Sequence, residues 1–291
     1  MTSAINHVIL TRFNLPSAGA ERFIRARENW LKQRVALFEK YCVPSVRNQT
    51  VANLKWIVYL DPASPDWLKS RMLELSISGL FAPIYREQVQ RSELLADINS
   101  VVDTPGERLV TTNLDNDDGL ARNFAERVQA VSLGVARQVV YVDHGLILGN
   151  QKLYLRRDRR NAFCSVAEPW DAPVTCWSEW HTELEKTMPA AHLRGEPGWL
   201  QVVHGDNVSN RIRGRRVSPL GYRASFPGFL DDLPQPSTSE RAAERLVHGP
   251  RRGLRESGRA LAKRTIHTVF GRGGVEAVYA RWNAVRSRYH S

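Results

Sequence analysis

The sequence lacks long apolar segments and any strong compositional bias. No run of 18 apolar residues occurs in the 291-residue chain, so a membrane-spanning helix is not expected. The opening "MTSAINHVILTRFN" has neither the basic start nor the long apolar stretch of a secretory signal, which predicts a cytoplasmic protein. With 42% hydrophobic and 24% charged residues, the composition excludes disordered and collagen-like chains and suits a soluble globular protein.

Cysteine is also scarce, because the chain contains only Cys42, Cys164 and Cys176. An odd number at wide spacings, set among apolar neighbours, argues against a disulfide framework and against a zinc site built from thiolates. We therefore predict three reduced cysteines in the core.

The excess positive charge is confined to the C-terminal part of the chain. Residues 211–291 contain 17 Lys and Arg against 6 Asp and Glu, whereas the rest of the chain holds 24 of each sign. This asymmetry indicates an anionic partner such as a lipid surface, a nucleic acid or a phosphorylated substrate, or else a solvated helical face. No recognised DNA- or RNA-binding module occurs and aromatic residues do not interleave the arginines, so we expect no nucleic-acid partner.

Short apolar runs alternate with helical patterns in the first half of the chain. We predict strands at 7–13, 54–61, 81–87 and 108–115 and helices at 24–42, 67–75 and 92–102. This order predicts an α/β fold with a mostly parallel sheet covered by helices. Ligands of such sheets gather at the carboxyl ends of the strands.

The second half is less regular. Residues 139–149 resemble a hairpin with a turn near "DHG", and residues 198–205 predict another strand. We predict a linker at 211–238, rich in Pro, Gly and Ser, and a basic helical extension at 239–291.

The segment "RLVTTNLDNDDGLARNF" (108–124) places three aspartates in four positions directly behind a predicted strand. Like charges this close need compensation, so they either face water or hold a cation. The carboxylates of Asp115 and Asp117 suit a hard divalent ion, Mg²⁺ or Mn²⁺. Alternatively, Asp117 or Asp118 caps a following helix, and the two roles are compatible.

Two segments, "SVRNQTVANLKWIVYLDPASPD" (45–66) and "LDNDDGLARNF" (114–124), resemble the start and the DxD segment of family 2 glycosyltransferases. The opening "TRFN" (11–14), the helix "WLKQRVALFEKYCVPS" (30–45) and the closing "GWLQVVHGDNVSN" (198–210) resemble a bacterial family of putative rhamnosyltransferases. The resemblance implies a GT-A fold, Rossmann-like, with a mostly parallel central sheet flanked by helices. It further implies a catalytic domain at 1–210, with a nucleotide-sugar-binding half at 1–120 and an acceptor half at 121–210.

The activity implied by this resemblance is the metal-dependent, inverting transfer of a sugar, with rhamnose as the candidate. The donor would be a nucleoside diphosphate sugar, the acceptor a saccharide or a lipid-linked glycan, and the ion Mn²⁺ or Mg²⁺. The basic C-terminal helices would bring the enzyme to anionic lipid at the inner face of the cell membrane. Packing of those helices on the catalytic domain or on a second subunit is the alternative.

The resemblance also assigns residues. Asp117 would ligate the metal and His204 would complete the metal or diphosphate site, although a satisfied core histidine is the alternative. Asp61 would lie near the nucleobase, or else cap the helix near Trp67. Arg86, by its place near a strand end, is a candidate phosphate ligand unless it forms a surface ion pair. The donor-binding candidates are Thr11, Arg12, Asn14, Asp61, Arg86, Asp115 and Asn116.

The general base is the weakest part of the pattern. Family 2 uses an acidic residue of a Glu-Asp pair, whereas the corresponding stretch here is "WSEWHTELEK" (177–186), without that pair. We prefer Glu179 over His181 as the base. Because this pair is missing, the alternative is a protein that has lost catalysis and serves as a partner subunit. Three tryptophans, which stack on a sugar ring or fill the core, are Trp177, Trp180 and Trp199.

Overall fold

The computed structural model describes residues 5–16, 28–134, 136–204, 212–248 and 250. The chain forms two compact units, Met1–Arg213 with Val217–Gln235, and Gly214–Arg216 with Pro236–Ser291. The predicted domain boundaries at 210 and 239 stay predictions. The predicted basic helical extension at 239–291 lies, from residue 251 on, outside the described residues. Within the described ranges, no helix has the length and apolar character needed to cross a membrane.

Among the described residues, eleven strands belong to the first unit, and a further short strand, β12 (Arg215–Val217), lies where the two units divide the chain. In chain order the eleven are β1 (Ile5–Arg12), β2 (Leu54–Leu60), β3 (Ala82–Tyr85), β4 (Arg108–Asn113), β5 (Gly119–Leu120), β6 (Gln138–Val142), β7 (His144–Gly149), β8 (Lys152–Arg157), β9 (Ser165–Pro169), β10 (Ala190–Leu193) and β11 (Trp199–Val203).

The helices connect these strands, and most are short. In the first unit they are α1 (Glu28–Leu37), α2 (Val43–Arg47), α3 (Asp66–Ser76), α4 (Arg91–Val101), α5 (Phe124–Ala130) and α6 (Leu184–Thr187). A π-helical turn (Phe38–Cys42) joins α1 to α2. The second unit contains α7 (Thr238–Ala243), which is followed by another π-helical turn (Glu244–His248). A 3₁₀ turn (Leu220–Tyr222) occurs between β12 and α7.

The central sheet has the strand order β10-β6-β9-β4-β1-β2-β3. Its neighbours are parallel except for β9, which pairs antiparallel with both β4 and β6. The predicted α/β fold, with a mostly parallel central sheet flanked by helices, is confirmed for the described residues. Parallel strands put their carboxyl ends at one edge, so the residues that follow β1, β2, β3 and β4 share that edge.

Alternating side chains of the strands fill a core on each face of this sheet. On one face, Ile9 of β1 belongs to a buried cluster that includes Leu31 and Val35 of α1. On the other face, Leu10 belongs to a cluster that includes Leu94 and Ile98 of α4. The helix predicted at 24–42 thus buries Leu31, Val35, Phe38 and Cys42 on one face, while its first residues, 24–27, lie outside the described ranges.

The predicted hairpin at 139–149 is wrong. The strands β6 and β7 follow each other directly but belong to different sheets, because β7 pairs with β8 and β11 in a second sheet. Asp143, fully buried, occupies the corner between them: its carboxylate accepts a hydrogen bond from Arg157 Nη2 (3.0 Å) and lies 2.8 Å from His192 Nδ1. The segment "DHG" therefore forms the passage from one sheet to the other, where Asp143 is buried in an ion pair, and not a two-residue hairpin turn.

The second sheet contains β8, β7, β11 and β5 in that order. Its apolar side chains pack with Phe226, Phe229 and Leu230, which follow the sheet in the sequence and are buried. The strand β5, which follows the acidic segment directly, pairs antiparallel with β11, and the acidic segment therefore ends at this sheet. The three cysteines are buried and free, as predicted.

Candidate functional site

The acidic segment leaves the sheet at the carboxyl end of β4, beside the ends of its neighbours. Arg12 ends β1, and Asp61 and Arg86 follow β2 and β3 directly. All four strands are parallel, so these residues and Asp115 lie at one edge of the sheet. This is the edge at which ligands of parallel sheets gather.

Asp117 lies at the centre of this edge, in contact with two basic side chains. Arg34 Nη1 donates a hydrogen bond to Asp117 Oδ2, and His204 Nε2, directly after β11, lies 2.9 Å from the same oxygen. Only 6% of the Asp117 side chain is exposed, against 11% for Arg34 and 21% for His204. Residues from α1, the β4 exit and the β11 exit therefore converge on one carboxylate oxygen.

Neighbouring side chains hold the acidic segment in place. The Asn116 amide donates to the carbonyl of Phe13, and its Oδ1 accepts a hydrogen bond from Arg34 Nη1 (3.2 Å). The Cys42 thiol lies within hydrogen-bond distance of the backbone carbonyls of Asp115 (3.2 Å) and Asp118 (2.9 Å). Cys42 is the last residue of the π-helical turn, an irregularity that often occurs at functional sites.

Asp118 is fully buried and does not cap a helix. Its Oδ1 accepts the backbone N–H of Val202 (2.8 Å), which joins the acidic segment to β11, and α5 begins later, at Phe124, behind Asn123. Among the described residues no hydrogen-bond partner reaches Asp118 Oδ2. Burial and the charges of Asp117 and Asp115 raise the pKa of Asp118 well above its ordinary value.

At Asp117 the pKa is shifted in the opposite direction. Burial acts to raise its pKa, but the hydrogen bond from His204 and the charge of Arg34 outweigh burial, so that the pKa lies below the ordinary value. The site thus stabilises an ionised carboxylate at Asp117 next to a carboxyl group at Asp118 whose ionisation is disfavoured. Asp115 is exposed as a residue and its Oδ1 lies 3.3 Å from Asn113 Nδ2, while reduced hydration of its carboxyl group and the charge of Asp117 raise its pKa.

Asn14 and Asp61 form a second polar group, at the end of β2. Asn14 Oδ1 accepts the backbone N–H of Asp61 (3.1 Å), and Asn14 Nδ2 donates to Ser64 Oγ (3.0 Å). The Asp61 carboxylate accepts the backbone N–H of Ala63 (2.7 Å). Asp61 therefore fixes a turn and does not cap α3, which begins at Asp66 behind Pro65. Its predicted place near a nucleobase stays a prediction.

Arg12 and Trp177 bring the 177–186 segment to the same edge. The Arg12 guanidinium carbon lies 3.8 Å from the centre of the Trp177 ring, and Trp177 Nε1 donates to Asn113 Oδ1 (2.8 Å). Arg12 therefore covers a face of Trp177. Of the other tryptophans considered for stacking, Trp180 is 67% exposed, while Trp199 is buried and stacks on Phe163 with the ring centres 5.0 Å apart.

The remaining predicted residues have other surroundings. Thr11 is fully buried and its hydroxyl accepts from Trp56 Nε1 (2.9 Å). The Arg86 guanidinium donates two hydrogen bonds to Asp97 (2.6 and 2.8 Å), as expected from the ion-pair alternative. Glu179 is exposed, and His181, partly buried, has a pKa below its ordinary value because of burial. No observation tests the predicted functions of these four residues.

The described part of the chain contains no cluster of three or more His, Cys, Asp and Glu side chains that could hold a metal ion. Mg²⁺ and similar ions, however, are commonly bound by one or two protein ligands together with substrate phosphates. The 2.9 Å separation of His204 Nε2 and Asp117 Oδ2 also suits two ligands that share one octahedral ion at about 2.1 Å from each. The oxygen and imidazole donors therefore fit a divalent cation, provided that Arg34 gives up its contact with Asp117.

Sequence reasoning missed two residues of this site. Arg34 lies three residues beyond Leu31, at the border of the apolar face of an amphipathic helix, where an arginine is ordinary, and Cys42 is read as a core residue. Neither residue belongs to a motif. Only the packing of α1 and the π-helical turn against the acidic segment identifies them.

Solved structures with distant similarity to this chain include transferases. The S. aureus TarS structure has 10% identity and a TM-score of 0.43, and the match covers 70% of this chain but only 37% of that chain. The TarS 1-349 structure in complex with UDP also has 10% identity and a TM-score of 0.43, with 70% of this chain and 61% of that chain covered. A putative nucleotide-diphospho-sugar transferase structure from Desulfovibrio desulfuricans G20 has 10% identity and a TM-score of 0.36, over 79% of this chain and 93% of that one.

No curated protein matches the sequence. A family model described as "Putative rhamnosyl transferase" matches residues 6–216, most of the chain. The match confirms the resemblance that the motifs indicate and, with it, a glycosyltransferase family. The chain therefore belongs to the putative rhamnosyl transferase family.

Proposed function

We propose that the protein is a metal-dependent, inverting glycosyltransferase that moves a sugar from a nucleoside diphosphate donor to an acceptor hydroxyl. Family membership supports the reaction class, and the description of the family favours rhamnose as the sugar. The observation that carries the proposal is the meeting of Asp117 and His204, 2.9 Å apart, at the carboxyl edge of a parallel sheet.

Asp117 and His204 would hold the cation, Mn²⁺ or Mg²⁺. When bound, the cation would stabilise the negative charge that develops on the leaving nucleoside diphosphate. Asp118 supports this assignment, since its buried Oδ2, next to Asp117 in the sequence, has no hydrogen-bond partner among the described residues. The chain's own task is to keep Asp117 ionised and fixed, which its contacts with Arg34 and His204 achieve, and Arg34 is itself hydrogen-bonded to Asn116.

The donor would lie along the edge formed by the ends of β1, β2 and β4. Asp115, exposed beside the cation site, would bind the ribose, and Asp61 would contact the nucleobase. Arg12, whose guanidinium lies over the Trp177 ring, would contact a phosphate of the donor through its planar fork of N–H donors. Thr11 and Asn14 would shape this pocket from the strand end, and Asn116 would position its neighbours. Arg86 would need to leave Asp97 before it could bind phosphate.

An acceptor hydroxyl needs a base to take its proton as the new bond forms. Glu179 is exposed near Trp177 and is the preferred base, while the lowered pKa of His181 would keep its imidazole neutral and able to accept a proton. Glu179→Gln and His181→Gln distinguish them. The variant that lacks the base should lose kcat by about 100-fold or more at every pH, whereas the other should retain it.

The acceptor would be a saccharide or a lipid-linked glycan at the inner face of the cell membrane. The basic excess of residues 211–291 supports attraction to anionic lipid. Flotation of the full chain with liposomes of anionic or neutral lipid, with and without the substitutions Arg281→Gln, Arg286→Gln and Arg288→Gln, tests this. Equal flotation under all conditions would remove the membrane role.

Transfer itself is tested with purified protein, Mn²⁺ and a panel of nucleotide sugars. Asp117→Asn should lower kcat/KM by about 100-fold or more, because several kcal/mol of charge stabilisation are lost. Asp103→Asn is the matched control, since Asp103 is a 90% exposed carboxylate paired with Lys55 outside the site. If the wild-type protein neither binds nor hydrolyses any donor of the panel, the proposal is wrong.

A second function, a catalytically inactive partner that binds the donor, is favoured by one observation. The Glu-Asp pair of family 2 is missing from residues 177–186. Binding of a nucleotide sugar without turnover, in the presence of a crude lipid extract as acceptor source, would support this second function against the first.

A further inference from the structure

Arg34 occupies the centre of the site and no motif includes it. Its guanidinium lies 5.0 Å from the ring centre of Trp30, one turn earlier on α1, and Nη1 donates to both Asn116 and Asp117. The side chain is only 11% exposed, so most of it is buried against the acidic segment. Arginine remains charged at any working pH, which makes Arg34 a permanent positive charge on the predicted metal ligand.

A divalent cation on Asp117 competes directly with Arg34. Arg34 Nη1 already donates to Asp117 Oδ2, the oxygen that lies 2.9 Å from His204 Nε2 and that a cation shared with His204 would bind. The two positive charges would also repel each other across a site that is nearly closed to water. Binding of the cation therefore requires Arg34 to release the carboxylate, while the burial of Arg34 demands another anion in its place.

The donor's diphosphate is the anion that the proposed function supplies at this position. A guanidinium presents several N–H donors in a plane and pairs well with phosphate oxygens. We propose that Arg34 is an exchange residue: it holds Asp117 in the empty site and transfers its hydrogen bonds to the donor's diphosphate when the cation takes Asp117. This inference rests on the proposed function, because it needs both the cation and a diphosphate donor.

The exchange makes the binding of the two ligands cooperative. A cation alone must displace Arg34 without offering it a new partner, and a diphosphate alone finds Arg34 engaged with Asp117. When both are present, each removes the obstacle to the other, and a coupling factor of about 5–150 is typical of such linked sites. In Arg34→Met the competitor is lost, so the cation alone should bind about tenfold more tightly while the diphosphate binds more weakly.

The experiment uses the full chain and isothermal titration calorimetry. Mn²⁺ is titrated with and without saturating UDP or dTDP, and each nucleotide with and without Mn²⁺, on the wild type, Arg34→Met and Arg34→Lys. Arg71→Met is the matched control, because Arg71 forms a comparable pair with Glu39 (2.7 and 2.9 Å) away from the acidic segment. Circular dichroism checks that each variant is folded.

We expect positive coupling in the wild type and in Arg71→Met, and a clearly smaller coupling factor in Arg34→Met, where only the direct bridge between cation and diphosphate remains. Arg34→Lys keeps the charge but loses the planar fork, so it should retain coupling with weaker nucleotide binding, and it tests the inference even if Arg34→Met does not fold. Unchanged or weaker Mn²⁺ binding in Arg34→Met, or unchanged nucleotide binding, would overturn the exchange while leaving the transferase proposal intact. If the wild type binds no nucleoside diphosphate with or without Mn²⁺, the proposed function and the exchange both fail.

Discussion

His7, buried in β1, should make the stability of the protein depend on pH. The ring is 1% exposed, its Nε2 lies 2.7 Å from Thr112 Oγ1, and its Nδ1 lies 3.3 Å from the side-chain amide nitrogen of Gln129. Gln129 can only donate from that nitrogen, so Nδ1 is the acceptor and the ring is neutral. Burial lowers the pKa of His7 from 6.5 to about 3.

The sign follows from proton uptake on unfolding. Below pH 6.5 the unfolded chain binds a proton at His7, whereas the folded chain stays neutral until the pH approaches about 3. The stabilising contribution is therefore complete above pH 6.5 and is lost as the pH falls toward about 3. Between pH 7.5 and pH 5 the loss amounts to about 2 kcal/mol, because the unfolded-state pKa of His7 lies inside this range and the folded-state pKa lies below it.

The assay compares urea unfolding of the wild type and His7→Gln from pH 7.5 to pH 5. The glutamine variant will be less stable overall, but it has no titrating group at this position, so its loss of stability on acidification should be smaller by about 2 kcal/mol. If both proteins lose the same free energy of unfolding over this range, or if the imidazole of His7 titrates above pH 5 by NMR, the reasoning is refuted.

Three further predictions concern packing and the ends of the strands. Gly145→Ala places a Cβ 1.9 Å from the buried ring of Trp199, so urea unfolding should show a loss of about 1–3 kcal/mol or more, whereas no loss would contradict the close approach of the two strands. His192→Ala removes a partner of the buried Asp143 carboxylate and should cost about 1.5–3 kcal/mol at pH 7, and a change below 0.5 kcal/mol, about the size of a surface effect, would contradict it. Asp61→Ala should weaken nucleotide binding in calorimetry more than it lowers the melting temperature, and the reverse would assign Asp61 to the turn alone.

The central strands were predictable because their sequences are apolar on both faces. The runs at 7–13, 54–61 and 108–115 correspond to β1, β2 and β4, and the acidic segment follows β4 as expected. The convergence of Asp117 and His204 was accessible only through the family resemblance, since no spacing rule links positions so far apart in sequence. Local patterns thus predict which residues leave the sheet at its carboxyl edge.

Two features escaped prediction for physical reasons. At Asp143 the sequence "DHG" looks like a turn, yet the carboxylate forms an ion pair with Arg157 and lies within hydrogen-bond distance of His192, which come from later strands. Arg34 likewise gains its importance from a contact with Asp117, 83 positions away in the sequence. Pairings of buried charges depend on tertiary packing, which neither periodicity nor local charge pattern records.

The central claim is that Asp117 and His204 hold a cation that also binds the donor's diphosphate. Electron paramagnetic resonance of Mn²⁺ bound to the full chain with UDP or dTDP tests it most directly, with electron–nuclear double resonance to detect ¹⁴N and ³¹P near the ion. We predict coupling to one imidazole nitrogen, lost in His204→Gln, together with coupling to phosphorus, and loss of protein-bound Mn²⁺ in Asp117→Asn. A Mn²⁺ signal with no nitrogen coupling, unchanged in both variants, would contradict it.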